Sequence, residues 1–436
     1  MSDQASRKAT VDALFQKLFP ICRSLTGDGN RQTFDIIGEL APFDVHEMPS
    51  GTKVFDWTVP DEWSIRDAYI ADDAGNRIID FANSNIHVAS YSIPVDAVMT
   101  LDELSPHLHS LPDQPTAIPY RTLYYKRDWA FCITEEQRAL IPSDENLRVV
   151  IDSDLSPGSM TYGDKVLPGT SGQEFVFSSY CCHPSLGNDN LSGIVLLTML
   201  LRELSSRTLN HTYRFILAPE TIGTIAYLHE HQDAMRQVTG SFVLTGVAGR
   251  GQYAYKQSLQ SDALVDRIAR RVMRGRNITF AERTFDPHGS DERQYSSPGF
   301  RIPTGIITRD GYYDYPEYHT SLDNLDFISC DALLETLDIY LCIVDTLENR
   351  KPLRSLAPNG EPHLGPRGLY PTVGGAMHTS GSTNVEKELD AILWTLTLAD
   401  GIKDRTDIAE QSGIDIGLID AIATRLIDGG LIEEVQ

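Results

Sequence analysis

Residues 174–193 read Glu174-Phe-Val-Phe-Ser-Ser-Tyr-Cys-Cys-His-Pro-Ser-Leu-Gly-Asn-Asp-Asn-Leu-Ser-Gly193. An apolar run rich in β-formers ends near His183. A short loop holds Asp189, and a long apolar helical pattern starts just after it. An imidazole and a carboxylate thus share one strand-to-helix connection. In α/β proteins the carboxyl ends of parallel strands open into a crevice, and ligands bind there. Both side chains are zinc-type donors. Each also has a plainer reading: His183 as a satisfied loop histidine, Asp189 as a helix N-cap.

The same rhythm continues downstream. A strand over residues 213–218 precedes a helix over 221–231, and a strand follows over 242–247. A helix near 262–274, a strand near 304–308 and a helix over 330–347 complete the pattern. Alternating strands and helices predict parallel βαβ units. Upstream, residues 9–40 read as two helices around Ser24-Leu-Thr-Gly-Asp-Gly29. Between 55 and 157 the texture changes to short alternating runs, such as residues 64–70, 86–91 and 129–133, split by prolines and turn residues. That is the pattern of a small β module. The expected organisation is residues 1–55 plus 160–350 as one α/β domain, 56–159 as an inserted β module, and 351–436 as a terminal part. In that part residues 351–382 read as a linker. Helices over 385–398, 404–412 and 416–428, broken by Ser412-Gly413 and Gly429-Gly430, give a helix-turn-helix or winged-helix pattern.

Composition narrows the function. The 436 residues carry a formal net charge of −24 and are 41% hydrophobic. Such acidity opposes non-specific binding to nucleic acid or anionic membrane. Within residues 384–436, twelve Asp and Glu face four Lys and Arg, a net of −8. That is the wrong sign for a phosphate-binding surface. No apolar run approaches the ~20 residues that span a bilayer. The six cysteines form no CxxC pair, so neither a disulfide framework nor a Cys-type zinc site is expected. No signal-peptide pattern opens the chain, and a reducing cytoplasm is the expected location.

Three further residues join His183 and Asp189 as candidates. Glu220 ends an apolar strand in Ala218-Pro-Glu-Thr-Ile-Gly223. A carboxylate there is costly unless paired or bound to a cation. It suits a general base or, more plainly, the first turn of a helix. Asp291 lies in Gly289-Ser-Asp-Glu-Arg293 and His319 in Pro316-Glu-Tyr-His-Thr320, both in polar loops of the kind that carry function. Asp323 and Asp326 read as caps or solvated charges.

These segments in this order, with Asp189-Asn-Leu-Ser-Gly193 and Glu220-Thr-Ile-Gly223, resemble the M28-type zinc aminopeptidases and their relatives the glutaminyl cyclases. A closer likeness runs through Arg23-Ser-Leu-Thr-Gly27, Val54-Phe-Asp-Trp-Thr-Val-Pro60, Cys182-His-Pro-Ser185, Pro219-Glu-Thr-Ile-Gly223 and Glu317-Tyr-His-Thr320. It points to bacterial aminopeptidase-like proteins with a β-sandwich insert and a C-terminal winged helix, some from polysaccharide-biosynthesis loci. The resemblance implies a mixed, mostly parallel sheet flanked by helices, with both of those additions. It implies a metal held by His183, Asp189 and His319, with Glu220 and Asp291 as catalytic carboxylates. One zinc ion is expected, and two remain an alternative. The implied chemistry is attack of water on an amide or peptide bond. Its substrate is a small peptide, aminoacyl or amino-sugar compound, with no nucleic acid or membrane as partner and a homo-oligomer left open. The chain also departs from the M28 pattern. Ser185 stands where an Asp follows the first histidine, Thr221 stands in the Glu-Glu pair, and residues 241–250 contain no Asp. Hence Glu220 is either base or ligand, and a non-catalytic, ligand-binding or scaffolding member is the competing expectation.

Overall fold

Strand Glu174–Tyr180 is the fourth of eight in a mixed sheet. Across the sheet the strands run Asp44–Pro49, Ser159–Leu167, Thr212–Ala218, Glu174–Tyr180, Gly240–Val243, Thr304–Arg309, Tyr253–Lys256 and Phe280–Arg283. The computed structural model describes residues 2–311, 314–369 and 384–435. The central strands are parallel, with Phe177 opposite both Phe215 and Phe242. Their carboxyl ends therefore open on one side. Antiparallel pairing appears toward the edges, where Asp44–Pro49 meets Ser159–Leu167 and Tyr253–Lys256 meets Thr304–Arg309. Those outer strands give the sheet its mixed character.

Every residue of the central strand from Phe175 to Tyr180 is buried. A strand covered on both faces has no reason to alternate, so its sequence reads as a continuous apolar run. Phe177 sits among the rings of Tyr213, Phe215, Phe242 and Tyr340 at centroid distances of 5.6–6.0 Å. Helix Ser192–Ser205 approaches so closely that a Cβ on Gly193 would lie 2.3 Å from the Leu244 carbonyl oxygen. Only glycine permits that contact, which explains the Ser-Gly ending of the opening stretch.

Between the first two sheet strands, the chain builds a second sheet. Its antiparallel order is Arg77–Asp80, Glu62–Ala71, Leu147–Ser156 and Val95–Met99. It has its own core of Ala68, Ile70, Ile79, Phe131, Val149 and Ile151. The strand expected over residues 86–91 is absent. Asn85–His87 is a 3-10 turn, and Val88 and Ser90 make only isolated bridges. All six residues are buried. His87 turns inward to the Cys132 carbonyl at 2.8 Å. The apparent apolar–polar alternation there never had a solvent face to report.

The chain divides into two compact units, residues 1–344 and 345–436. In the second, helices Asn384–Leu398, Arg405–Ser412 and Ile416–Asp428 enclose Leu353, Ile392, Ile408, Ile419, Ile422 and Leu426. The segment expected to be a linker contributes strand Leu353–Ser355, which pairs with Ile432–Glu434. Residues 370–382 of that segment lie outside the described residues. Among the described residues, no helix is long and apolar enough to cross a membrane.

Arg350 locks this unit. Its side chain is 5% exposed and reaches Asp404 at 2.9 Å and Asp407 at 2.7 Å. The two acids also form the capping box of helix Arg405–Ser412. Breaking a buried ion pair from one side typically costs ~3–5 kcal/mol. Arg350→Ala should therefore lower the unfolding temperature of the second unit, resolved as a separate transition by calorimetry. An unchanged thermogram would show that the arginine contributes little.

Candidate functional site

The strand Glu174–Tyr180 delivers Tyr180, Cys182 and His183 to the open end of the sheet. The chain then makes a tight turn, Gly187–Leu191, before the helix begins. Polar side chains fix this turn from within. Asn188 Oδ1 accepts from the Ala248 and Gly249 amides at 2.9 and 3.0 Å. Asn190 Nδ2 donates to Ser179 Oγ and the Tyr180 carbonyl, each at 2.9 Å. Asp323 accepts the amides of Asn188 and Asp189 at 2.6 and 2.9 Å. Asp323 is fully buried, which excludes the solvated charge of the two expected readings, cap or solvated charge. Burial pushes its carboxyl up to about 7, against the pull of those amides.

Asp189 is the hub, and it is 2% exposed. Its Oδ1 accepts from the Tyr180 hydroxyl at 2.6 Å. Its Oδ2 lies 2.9 Å from His319 Nε2 and 3.9 Å from His183 Nε2. Burial opposes its charge, but His183, His319 and Tyr180 outweigh that and hold the carboxyl down at about 2. Burial depresses His183 to about 4, only partly offset by Asp189. At neutral pH the pair is a carboxylate facing a neutral imidazole, the protonation state in which both can coordinate a metal.

His319 carries a second signal. Its Nε2 is shut off from solvent and has no well-formed hydrogen bond, despite the 2.9 Å approach of Asp189. The ligand atoms of His183, Asp189 and His319 all lie within 4.8 Å of one another. These residues fit a divalent cation.

The remaining candidates stand beside them. Glu220 stands two residues beyond the neighbouring strand Thr212–Ala218, and its carboxylate lies within 4.8 Å of a His183 ring nitrogen. The residue is half-buried. Thr221 follows at φ +64°, a strained value for a β-branched residue. Such strain persists only where surroundings impose it. Here the imposing contact is the Thr221 amide donating to Asp291 Oδ1 at 2.8 Å. Asp291 is 1% exposed and its Oδ2 is buried without a hydrogen-bond partner. Burial pushes Asp291 up to about 7. Glu220 is raised well above the usual carboxylate range by burial and then by the charges of Asp291 and Asp189. All five sequence candidates thus meet at one place.

Three residues in this place went unassigned in the sequence reading. Fully buried Arg23 donates to the carbonyls of His183 at 2.9 Å, Leu18 at 2.7 Å and Pro184 at 3.3 Å, clamping the histidine loop. Its only prior signal was the Arg23-Ser-Leu-Thr-Gly27 motif. Tyr120, from the inserted module, sets its ring 5.1 Å from His183 and 5.2 Å from His319. Nothing in the sequence announced it. Tyr180 binds Asp189 directly, yet it reads as one more core aromatic of the strand.

Comparison with known proteins shows the family and the fold. A family model described as "Domain of unknown function (DUF4910)" matches residues 12–350, and one described as a winged helix-turn-helix matches residues 351–434. A Clostridium acetobutylicum protein named "Putative polysaccharide biosynthesis protein with aminopeptidase-like domain" is 43% identical over 413 residues, covering 95% of this chain and 93% of its own. A crystal structure titled as a "putative peptidase" from Clostridium acetobutylicum matches with a TM-score of 0.84 at 39% identity, covering 100% of this chain and 98% of that one. The zinc aminopeptidase BSAP from Bacillus subtilis shares the fold, with a TM-score of 0.56 at 14% identity over 79% of this chain and 94% of its own. The chain therefore belongs to the DUF4910 family, with an M28-aminopeptidase-like α/β fold and a C-terminal winged helix-turn-helix.

Proposed function

We propose that this chain is a metal-dependent hydrolase that cleaves an amide or peptide bond beside a free amino group. The observation that carries the reading is the convergence of His183, Asp189 and His319 within 4.8 Å, with Nε2 of His319 buried and 2.9 Å from Asp189 Oδ2. The three residues would hold one zinc ion. A zinc ion there supplies Lewis acidity, polarising a carbonyl and lowering the pKa of water toward ~7. Glu220 takes the proton of the attacking water and returns it to the leaving amine. Asp291, beside it, keeps Glu220 basic by adding negative charge. The ring of Tyr120 closes one wall against bulk water. The same carboxylates attract the substrate's ammonium group. The name of the Clostridium acetobutylicum relative motivates amino-sugar amides as substrates alongside short aminoacyl peptides. We assign the acidic winged helix-turn-helix to protein contact, not to DNA.

A non-catalytic reading has its own support. Where M28 enzymes place an Asp, Ser185 turns its hydroxyl away to the Phe19 carbonyl at 2.7 Å. Thr245 spends its hydroxyl on Tyr180 at 2.7 Å. One experiment separates the readings: zinc content and aminoacyl-amide cleavage of the wild type and His319→Ala. Loss of both in the variant supports the enzyme. A wild type that takes up zinc but cleaves nothing supports the ligand-binding alternative.

Further outcomes follow from individual residues. Glu220→Gln should retain zinc and lower kcat by roughly 10²–10⁴-fold, the usual contribution of a general base. If Glu220 is instead a ligand, zinc is lost as well, and metal analysis tells the two apart. In the pH–rate profile the acid limb should lie above that of an ordinary glutamate, because Glu220 must be ionised to act and its pKa is raised. Asp291→Asn removes a charge that raises it, so the limb should move to lower pH. Arg23→Lys keeps the charge but not the fork that spans three carbonyls. It should weaken zinc retention by roughly 10–100-fold, as loss of an outer-shell partner does, measured by competition with a chelator.

A further inference from the structure

Cys182 lies in the same cleft and has no part in the chemistry above. Its Sγ is 3.4 Å from His183 Nδ1 and accepts the Glu220 amide at 3.3 Å. The thiol is 1% exposed. Ligand atoms of Cys182, His183 and Glu220 all lie within 4.8 Å of one another. His183 thus presents one nitrogen to each side: Nε2 toward Asp189 and Nδ1 toward Cys182. The Oδ2 of Asp291, whose Oδ1 accepts the Thr221 amide, adds a further buried acceptor without a hydrogen-bond partner.

We propose that Cys182, His183 and Glu220 form a thiolate-bearing position for a thiophilic divalent cation, adjoining the His183–Asp189–His319 pocket. A thiolate, an imidazole and a carboxylate are all zinc ligands, and a sulfur donor shifts preference from hard cations toward zinc-like ones. Binding displaces the protons of the thiol and of Glu220 to solvent, because only the thiolate and the carboxylate are good ligands. His183 then binds through Nδ1 and keeps its single N–H on Nε2, so a cation here and one in the first pocket compete for His183. Occupancy here also takes Glu220 out of use as a base. Cys181 provides the internal contrast. It is equally buried, yet it belongs to neither group of donors. The inference rests on the metal half of the reading above, that this cleft accepts a cation, and not on hydrolysis.

Cobalt(II) titration of the metal-free full-length protein tests it. Cobalt bound by any protein donors gives weak visible bands, whereas a cobalt–thiolate bond adds an intense near-ultraviolet charge-transfer band. The expected result is both signals in the wild type, the near-ultraviolet band lost in Cys182→Ser and kept in Cys181→Ser. Affinity at this position should fall by roughly 10-fold or more in Cys182→Ser, since even outer-shell changes cost ~10–100-fold. Visible bands without the near-ultraviolet one in the wild type, a result that needs no variant to fold, would overturn the proposal and leave the first pocket intact. A near-ultraviolet band that survives Cys182→Ser would overturn it equally. No cobalt uptake at all would remove both this position and the metal reading beneath it.

Discussion

A carboxylate buried at the end of a parallel sheet is the constraint on which this structure turns. Asp189 is almost wholly excluded from water. An isolated charge in such a place costs far more than a domain's margin of stability allows. The surrounding residues answer that cost. Tyr180 donates to one oxygen, and two histidines face the other. Asp323 ties down the backbone on either side of the Asn188–Asp189 peptide. Asn188 and Asn190 close the turn. Replacing any of these by an apolar residue leaves a buried polar group without its partner. The turn is thus specified by polar satisfaction, while the strand before it and the helix after it are specified by apolar burial.

That division explains what the sequence disclosed. The central strand and the helices after it were legible because burial on both faces writes long apolar runs. Helix Ile416–Asp428 matches its expected ends to the residue. The outer strands Tyr253–Lys256 and Phe280–Arg283 are four residues each and carry no period long enough to read. Residues 86–91 misled for the opposite reason, since an alternating pattern signals a strand only when one face meets solvent. In the terminal unit, three residues of strand sat unnoticed in a proline- and glycine-rich segment.

The candidate site was legible in its ligands and not in its supports. His183, Asp189, Glu220, Asp291 and His319 are chemically conspicuous residues in loops after strands or before helices. Arg23 acts on Pro184, 161 positions away, and Asp323 on Asn188, 135 positions away. Sequence spacing holds no trace of such pairings. Asp323 shows the consequence, because the same residue type two residues from a helical turn is a cap in one environment and a buried anchor in another.

The inserted module belongs to this argument as well. Pro119 bridges to Thr320, the Tyr120 amide donates to the His319 carbonyl at 2.8 Å, and the Ser321 amide donates to Ile118 at 2.8 Å. Ile118 in turn donates to Ser321 Oγ at 3.0 Å. His319 itself stands at φ +53°, a conformation that a non-glycine residue holds only under constraint. The constraint comes from these backbone bonds on both sides of the histidine. An insertion that merely decorated the sheet would leave the loop free to relax. Here it supplies both the backbone clamp on the His319 loop and the Tyr120 ring that packs against His183 and His319. The donor cluster is therefore a joint product of the sheet's carboxyl ends and of a module placed far from them in the chain.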